Sequence, residues 1–304
     1  MTPEQKAPCP FSINSARRAI KVRDGLAACL VTGNDKIASG FGNGDCILID
    51  MHNLFFAVAD ASDRFPTASR ELLRRLAHEL ERGRTPEDER EWLEKVNTAY
   101  AVQPYVQKTT FSGVALSNRS GRETAYIIHG GDSLVFVVNM DRGRVEYTTG
   151  SDMNFAGRIN KLSEAQRFFL EGGQYRIILA SDGLADLARL AKTNIEELCV
   201  EVLGRCPLDE LPDRFLRILS RGCVKHGGHD DISIIGLDPA KLEPGLGGPV
   251  LVGGTSPVEE SQFQSGLRSS QFPDAWICPA ANGCDPPMVD APGIEILFMK
   301  PGRL

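Results

Sequence analysis

Residues 54–60 read LFFAVAD, a run that is apolar until it ends at Asp60. A strand without polar positions is buried on both faces, so we expect this one to lie inside a sheet and to emerge at Asp60. Residues 46–50 (CILID) form a second strand-like run, and His52 and Asn53 separate the two as a tight turn. The sequence therefore predicts a β-hairpin whose second strand is buried on both faces and ends at an aspartate.

Helical and strand-like patterns alternate on the C-terminal side of this hairpin. Between residues 66 and 80, a proline suited to the first helical turn is followed by leucines at intervals of four, which predicts an amphipathic helix. Residues 85–88 (TPED) predict a second helix with Thr85 as its cap. Capping-box patterns at 163–166 (SEAQ) and 193–196 (TNIE) predict two short helices, the first running through two phenylalanines. The other predicted elements are strands over 111–116, 125–128, 134–138, 145–149, 175–179 and 232–237, and a helix over 211–224.

The composition changes after Pro239. Glycine, proline, serine and glutamine dominate residues 241–271, a composition typical of linkers and disordered segments. We therefore expect an N-terminal extension over 1–29, one folded domain over 30–238 and a linker-like or partly disordered tail over 239–304. On this reading the last strand is complete by residue 238, and a chain cut after Pro239 is expected to fold and to be active.

Charge and apolar runs exclude several classes of protein. The formal net charge of −6 disfavours a nucleic-acid partner, which needs a basic face. No apolar run approaches the roughly 18 to 20 residues that span a bilayer, and the N-terminus lacks a secretory signal pattern, so we expect a cytoplasmic protein without a membrane partner. The eight cysteines are then expected to be reduced thiols, with a disulfide or metal clip between Cys278 and Cys284 as the alternative.

Aspartates recur at the ends of the predicted strands: Asp45, Asp60, Asp132, Asp182, Asp230 and Asp231. Each of them alone also fits an ordinary turn or cap. Together, carboxylates gathered at one sheet edge would cost several kcal/mol per desolvated ion, and a divalent cation removes that cost. Ligands that are all oxygen favour Mg²⁺ or Mn²⁺ over zinc. The set therefore predicts a metal site.

Four segments resemble, in order, the motifs of type 2C metal-dependent Ser/Thr protein phosphatases: 57–60 (AVAD), 131–133 (GDS), 179–186 (LASDGLAD) and 229–233 (HDDIS). Residues 43–49 (NGDCILI) are similar to the family's opening Asn-x-Asp strand, and Thr109-Thr110 to its Gly-Thr-Thr position. The resemblance covers residues 30–238 of the 304. It implies an α+β fold, a four-layer α-β-β-α sandwich of two antiparallel sheets flanked by helices.

The resemblance also implies a pair of Mg²⁺ or Mn²⁺ ions in the cleft between the sheets, with a weaker third. Asp60 would bridge both ions, and the backbone carbonyl of Ala61 would bind one. Asp182 and Asp230 would complete the ligands of the first ion, and Asp45 would lie beside the second, directly or through water. Asp60, Asp182 and Asp230 are thus the expected catalytic residues.

Two further aspartates have supporting roles in this scheme. Asp132 would hold the weaker third ion. Asp231 follows the last ligand in sequence and would support it from outside the set of direct ligands.

The expected reaction follows from the two neighbouring metal ions. Two neighbouring cations share a water, lower its pKa and provide hydroxide for in-line attack on phosphorus, so no protein nucleophile is needed. The sequence contains no evident Ser-His-Asp arrangement. The resemblance implies a phosphoserine or phosphothreonine protein substrate and a kinase-regulated partner. The alternatives are a phosphatase of small metabolites and a catalytically weak or inactive module that binds a partner.

The sequence departs from the family pattern at the phosphate-binding arginine, where residues 39–42 (SGFG) stand instead. Lys36 and Arg64 are candidate substitutes, because both lie near an assigned ligand in sequence; each also fits a solvated surface charge. This departure favours the inactive alternative.

A second departure removes an expected proton donor. Ala61 and Ser62 replace the Gly-His or Gly-Met pair that follows the bridging aspartate, so there is no obvious general acid. His229, next to Asp230, is the candidate donor, whereas a structural role at a strand end suits His129. Leu134 and Ala185 also depart from the family pattern, and we interpret both as packing changes.

Overall fold

The computed structural model describes residues 11–117, 123–245, 248–272, 274–277 and 291–297. Cys278 and Cys284, and with them the alternative of a disulfide or metal clip, lie outside the described residues. None of the helices in the described ranges combines the length and the apolar character that a membrane span requires.

Within the described residues, two antiparallel sheets stand at the centre of the fold. The first has eight strands, in the order β14 (Trp276–Ile277), β1 (Ser12–Asn14), β2 (Ala19–Val22), β3 (Leu26–Val31), β12 (Ile232–Leu237), β11 (Tyr175–Ala180), β8 (Leu134–Asn139) and β9 (Arg144–Thr148). The second has seven, in the order β10 (Gln166–Phe169), β7 (Thr124–Gly130), β6 (Phe111–Ser117), β5 (Phe55–Asp60), β4 (Asp45–Asp50), β13 (Val250–Gly253) and β15 (Ile294–Ile296).

Helices cover the outer faces of both sheets. The helices of the described residues are α1 (Asn34–Ser39), α2 (Ala68–Glu81), α3 (Glu89–Ala101), α4 (Leu184–Ala191), α5 (Ile195–Glu197), α6 (Leu211–His226) and α7 (Pro257–Arg268), with a π-helical segment over Leu198–Gly204 and 3₁₀ turns at Leu208–Glu210 and Pro239–Lys241. One apolar cluster joins the facing sides of the two sheets. A second packs α2 and α3 on the second sheet, and a third packs α4 and α6 on the first. The expected α-β-β-α sandwich is confirmed.

Strand β5 shows why the apolar run predicts the centre of the fold. Alternate side chains of a strand point to opposite faces. Phe56 and Val58 enter the cluster between the sheets, whereas Phe55 and Ala57 enter the cluster under α2 and α3. Phe55 stacks on Trp92 of α3, with ring centroids 5.1 Å apart. Both faces of the strand are therefore buried, as predicted.

The short helix predicted from residues 163–166 is wrong. Residues Gln166–Phe169 form β10, which pairs antiparallel with β7. Phe168 packs beside Tyr147 and Tyr175, with ring centroids 6.0 and 6.1 Å away. An open edge of the second sheet and this aromatic contact outweigh the local capping pattern, because helix propensity is a weak preference beside tertiary packing.

Two predicted helix caps are displaced along the chain. Helix α3 is capped by Asp88, which accepts from Glu91 N at 2.9 Å, and not by Thr85. The Thr85 hydroxyl instead donates to Asn53 Oδ1 at 2.8 Å. Helix α5 is capped by Asn194, one residue after the predicted position. In both cases the capping residue has the extended backbone that lets its side chain reach the first turn.

The segment after Pro239 is not a linker in its described parts, and Ile232–Leu237 is not the last strand. Strand β13 pairs with β4 over four residues and with β15 on its other side. Its residues are buried, so an apolar stretch inside a glycine-rich segment completes the second sheet. The expected N-terminal extension is also wrong for residues 12–29, because β1 and β2 belong to the first sheet and β3 pairs with β12.

A buried ion pair ties α7 to the first sheet. Arg18 Nη1 lies 2.8 Å from Glu260 Oε2, and the two side chains are 1% and 3% exposed. Glu260 also accepts from the hydroxyls of Thr32 and Thr255, both at 2.9 Å. The Arg18 guanidinium lies 3.5 Å from the centroid of the Phe263 ring. The tail is thus held by an ion pair, hydrogen bonds and a cation–π contact.

Glu260→Ala is expected to lower the free energy of unfolding by about 3–5 kcal/mol, because it leaves the buried Arg18 charge without its partner. Urea denaturation followed by circular dichroism measures the loss. The double variant Arg18→Met with Glu260→Leu removes both charges and is expected to recover most of it. Exposed ion pairs contribute about 1 kcal/mol or less to stability. A loss in that range would mean that the Arg18–Glu260 pair does not act as a buried ion pair.

Candidate metal centre

The candidate site lies where strands of both sheets end. In the second sheet, Asp45 begins β4 and faces Asp60, which ends β5. In the first sheet, Asp182 follows β11, and Asp230 and Asp231 precede its antiparallel neighbour β12. The end of one such strand lies beside the start of the next. The strand-end positions predicted for these aspartates are therefore confirmed.

Hydrogen bonds between the sheets bring the two groups together. Ser181 Oγ, in the first sheet, donates to Asp45 Oδ2 at 2.6 Å in the second. The Asp231 carboxylate accepts from Gly33 N and from Gly44 N, both at 2.7 Å. Asp45 and Asp231 are buried, with 1% and 2% of their surface exposed. The aspartates of the first and second sheets consequently belong to one site.

The backbone at Asp60 is fixed on both sides. Its N–H donates to Thr110 Oγ1 at 2.9 Å, and its carbonyl accepts from Thr110 N at 2.8 Å and from Thr109 Oγ1 at 2.7 Å. On the other side, Ala61 N donates to Gly44 O at 3.0 Å. A Cβ on Gly44 would lie 2.2 Å from the Ala61 carbonyl oxygen, so only glycine permits this approach. The Thr-Thr segment singled out in the sequence thus holds Asp60 in place.

The site carries more negative charge than its surroundings compensate. Burial and the charge of Asp231 raise the pKa of Asp45 well above its usual range. Burial, with the charges of Asp45 and Asp182, does the same to the pKa of Asp60. Desolvation and the charges of Asp132 and Asp230 raise the pKa of Asp182 to about 6. Carboxylates in such a site favour a bound cation or a proton.

The chemical type of the residues at the site suits a hard divalent cation. Asp45 Oδ1 is buried and has no hydrogen-bond partner in the described part of the structure. The candidate ligand atoms of the site are carboxylate and carbonyl oxygens, which Mg²⁺ and Mn²⁺ prefer. Within the described ranges, however, no three acidic, histidine or cysteine side chains stand close enough together to hold an ion as they are. The assignment of particular ligands to particular ions stays a prediction.

Lys36 lies among these carboxylates. Its Nζ is 2.8 Å from Asp63 Oδ1, 2.8 Å from Asp230 Oδ1 and 3.1 Å from Asp231 Oδ2. Only 13% of its side chain is exposed, so the interpretation as a solvated surface charge is wrong for Lys36. Arg64 is exposed, with its guanidinium 5.3 Å from the centroid of the Phe65 ring. A phosphate-binding role for either residue stays a prediction.

The remaining candidates lie at the margin of the site. Asp132 is partly buried in the turn between β7 and β8, and its charge acts on Asp182. His229 is buried, and its Nδ1 lies 2.7 Å from the Asp230 carbonyl oxygen, which leaves its other nitrogen for any proton transfer. His129 Nδ1 lies 2.9 Å from Ser112 Oγ. Burial lowers the pKa of His129, as suits a neutral structural histidine.

Two supporting residues were missed in the sequence. Asp186 Oδ2, in the first turn of α4, accepts from Asp230 N at 2.9 Å and so positions that residue. A Cβ on Gly183 would lie 2.1 Å from the Asp231 carbonyl oxygen, so this glycine lets the end of β11 approach β12. Both lie within the quoted segment 179–186, but their contacts with the loop before β12 have no local sequence signal.

Solved structures share this fold. The catalytic domain of the serine threonine protein phosphatase PstP, in complex with 2 manganese ions, superposes with a TM-score of 0.52 at 17% identity, over 70% of this chain and 96% of that chain. The Mycobacterium tuberculosis phosphatase PstP/Ppp gives 0.51 at 19%, over 70% and 97%. Stp1 from Staphylococcus aureus gives 0.51 at 14%, over 70% and 94%. No protein-family model and no curated protein matches the chain. At these identities the comparison concerns the fold, and the fold implied by the resemblance to type 2C phosphatases is confirmed.

Proposed function

We propose that this chain is a metal-dependent phosphatase that hydrolyses phosphoserine and phosphothreonine monoesters of proteins. The observation that carries the proposal is the convergence of aspartates from both sheets on one site, with Asp45 buried and one of its oxygens unpartnered. The shared fold supports it, since the neighbours described above are Ser/Thr phosphatases and one of them holds manganese.

The proposed ligands of the Mg²⁺ or Mn²⁺ pair, and of a weaker third ion, are Asp45, Asp60, the Ala61 carbonyl, Asp132, Asp182 and Asp230. When bound, the ions would supply an activated water at neutral pH and neutralise the phosphoryl oxygens. The protein itself supplies position. Thr109 and Thr110 fix the backbone at Asp60, and Ser181 orients Asp45 through its hydroxyl. A site whose ligands are held before the ion arrives loses less free energy to ordering.

Hydrolysis of p-nitrophenyl phosphate by EDTA-treated protein, with and without added Mn²⁺, tests the proposal. We expect turnover only with Mn²⁺, and faster turnover of a phosphoserine or phosphothreonine peptide than of a sugar phosphate. Asp238→Asn serves as a control substitution outside the candidate site, because Asp238 follows the opposite end of β12 and pairs with Lys241. We expect it to leave the Mn²⁺-dependent turnover unchanged. Turnover that is absent, or unaffected by Mn²⁺, would contradict the proposal; faster hydrolysis of the sugar phosphate would indicate a phosphatase of small metabolites.

A catalytically inactive module that binds a phosphorylated or kinase-regulated partner is the second candidate. The observation in its favour is Lys36, whose ammonium already neutralises Asp230 and Asp231. This alternative predicts no Mn²⁺-dependent turnover of any phosphomonoester. The cytoplasmic location expected from the sequence stays a prediction under either function.

A further inference from the structure

Lys36 lies where a metal-binding protein would not be expected to place a cation. It belongs to α1, the six-residue helix between β3 and β4, and its ammonium joins Asp63, in the loop after β5, to Asp230 and Asp231, before β12. Among the charges that act most strongly on Asp60 and Asp182, Lys36 is the positive one. One lysine thus pairs with several carboxylates of the candidate site.

An ammonium and a divalent cation compete for such carboxylates for two reasons. Asp230 Oδ1 is 2.8 Å from Lys36 Nζ, and an oxygen that binds Mg²⁺ or Mn²⁺ at a typical distance of about 2.1 Å cannot keep a full hydrogen bond to the ammonium in the same direction. Two cations a few ångströms apart also repel each other. Lys36 and an ion at Asp230 therefore oppose each other.

Lys36 is free to leave Asp230. No residue of α1 is buried, and the helix ends at Gly40, whose φ is 72°. The flexible four-carbon stem of lysine lets the ammonium move while the backbone stays in place. The Asp230 side chain is 50% exposed and the Asp63 side chain 48%, so an ion arrives from solvent and the displaced ammonium retains an exposed carboxylate partner.

We propose that Lys36 is a built-in competitor of the divalent cation. It stabilises the carboxylates of the metal-free chain and must leave Asp230 before an ion binds there, which sets the metal affinity of the site. The inference rests on the proposed function, since it requires that Asp230 binds an ion at all. It makes Lys36 a residue that tunes metal occupancy.

Calorimetric titration of Mn²⁺ into EDTA-treated protein tests the inference without any activity measurement. Lys36→Met keeps the length of the stem and removes the charge, and we expect it to bind Mn²⁺ about tenfold more tightly or better than the wild type, a change of about 1.4 kcal/mol or more. Lys241→Met is the matched control, because Lys241 pairs with an aspartate at the opposite end of β12. We expect this control to leave the affinity unchanged.

Thermal unfolding in EDTA gives an independent measurement. Lys36→Met is expected to melt at a lower temperature than the wild type without metal, and to gain more from added Mn²⁺. If this variant does not fold in EDTA, Lys36→Gln and Lys36→Arg are compared, and only Lys36→Gln is expected to bind Mn²⁺ more tightly than the wild type.

Equal or weaker Mn²⁺ binding by the uncharged variants, while the wild type binds Mn²⁺, would overturn the inference and leave the proposed function standing. If neither the wild type nor any variant binds Mn²⁺, the proposed function fails and the inference fails with it.

Discussion

Asp60→Asn and Asp182→Asn are each expected to reduce Mn²⁺-dependent hydrolysis of p-nitrophenyl phosphate by more than about a hundredfold. Substitution of a residue that only supports a metal ligand typically lowers metal affinity or activity by roughly 10–100-fold, and substitution of a direct ligand has the larger effect. Asparagine keeps the shape of the side chain but loses the charge that binds the cation. Steady-state kinetics over a range of Mn²⁺ concentrations measures the loss.

The same variants are expected to remain folded. The raised pKa of Asp60 means that its negative charge opposes folding in the absence of metal, because burial and the charges of Asp45 and Asp182 disfavour ionisation. Asp60→Asn removes that charge, so its melting temperature in EDTA should equal or exceed that of the wild type. A variant that is inactive and also less stable in EDTA would point to a structural role for the carboxylate.

Asp24→Asn provides the matched control for both substitutions. Asp24 is exposed in the turn between β2 and β3, at the end of the first sheet opposite to Asp230. The same chemical change there should alter neither turnover nor metal affinity. Normal turnover in Asp60→Asn or Asp182→Asn would remove the assignment of these residues as metal ligands.

The sequence predicts the parts of this site that depend on local pattern. The β4–β5 hairpin follows from two apolar runs around a short turn, and the strand-end aspartates follow from where such runs stop. An apolar strand must be buried wherever it lies, so the interior of the fold could be inferred without knowing its partners. The sandwich itself came from the resemblance and not from these patterns.

What the sequence did not predict depends on partners far along the chain. Strand β13 is a short apolar run in a glycine-rich segment, and its identity as a strand depends on β4, some two hundred residues earlier in the sequence. Lys36 differs from an ordinary surface lysine only because it pairs with Asp230 and Asp231. Asp231 is 195 residues away in the sequence. Neither contact leaves a periodic or local signal, so composition suggested a linker and a solvated charge instead.

A chain that ends at Pro239 is expected not to fold. It lacks β13, whose buried residues Val250, Leu251 and Val252 would each contribute about 1.5–3 kcal/mol. It also leaves the buried Arg18 without Glu260, at a further cost of about 3–5 kcal/mol. These losses together reach the total stability of a typical domain, about 5–15 kcal/mol. Expression of residues 1–239, with size-exclusion chromatography and circular dichroism, measures the outcome.

The metal site is expected to be lost from this fragment even where some structure survives. Gly254 N donates to the Asp45 carbonyl at 2.6 Å and Thr255 N to the Asn43 carbonyl at 2.9 Å, so the segment after β13 holds the start of β4 in place.

A fragment over residues 1–277 keeps these contacts, β13 and α7, and removes only β15 among the described elements of its sheet. We expect that longer fragment to unfold cooperatively and to bind Mn²⁺, because an edge strand of three residues contributes little beside β13. A cooperative unfolding transition and Mn²⁺ binding in the shorter fragment would mean that β4 keeps its position without β13, and that the aspartates of the site are held by the two sheets alone.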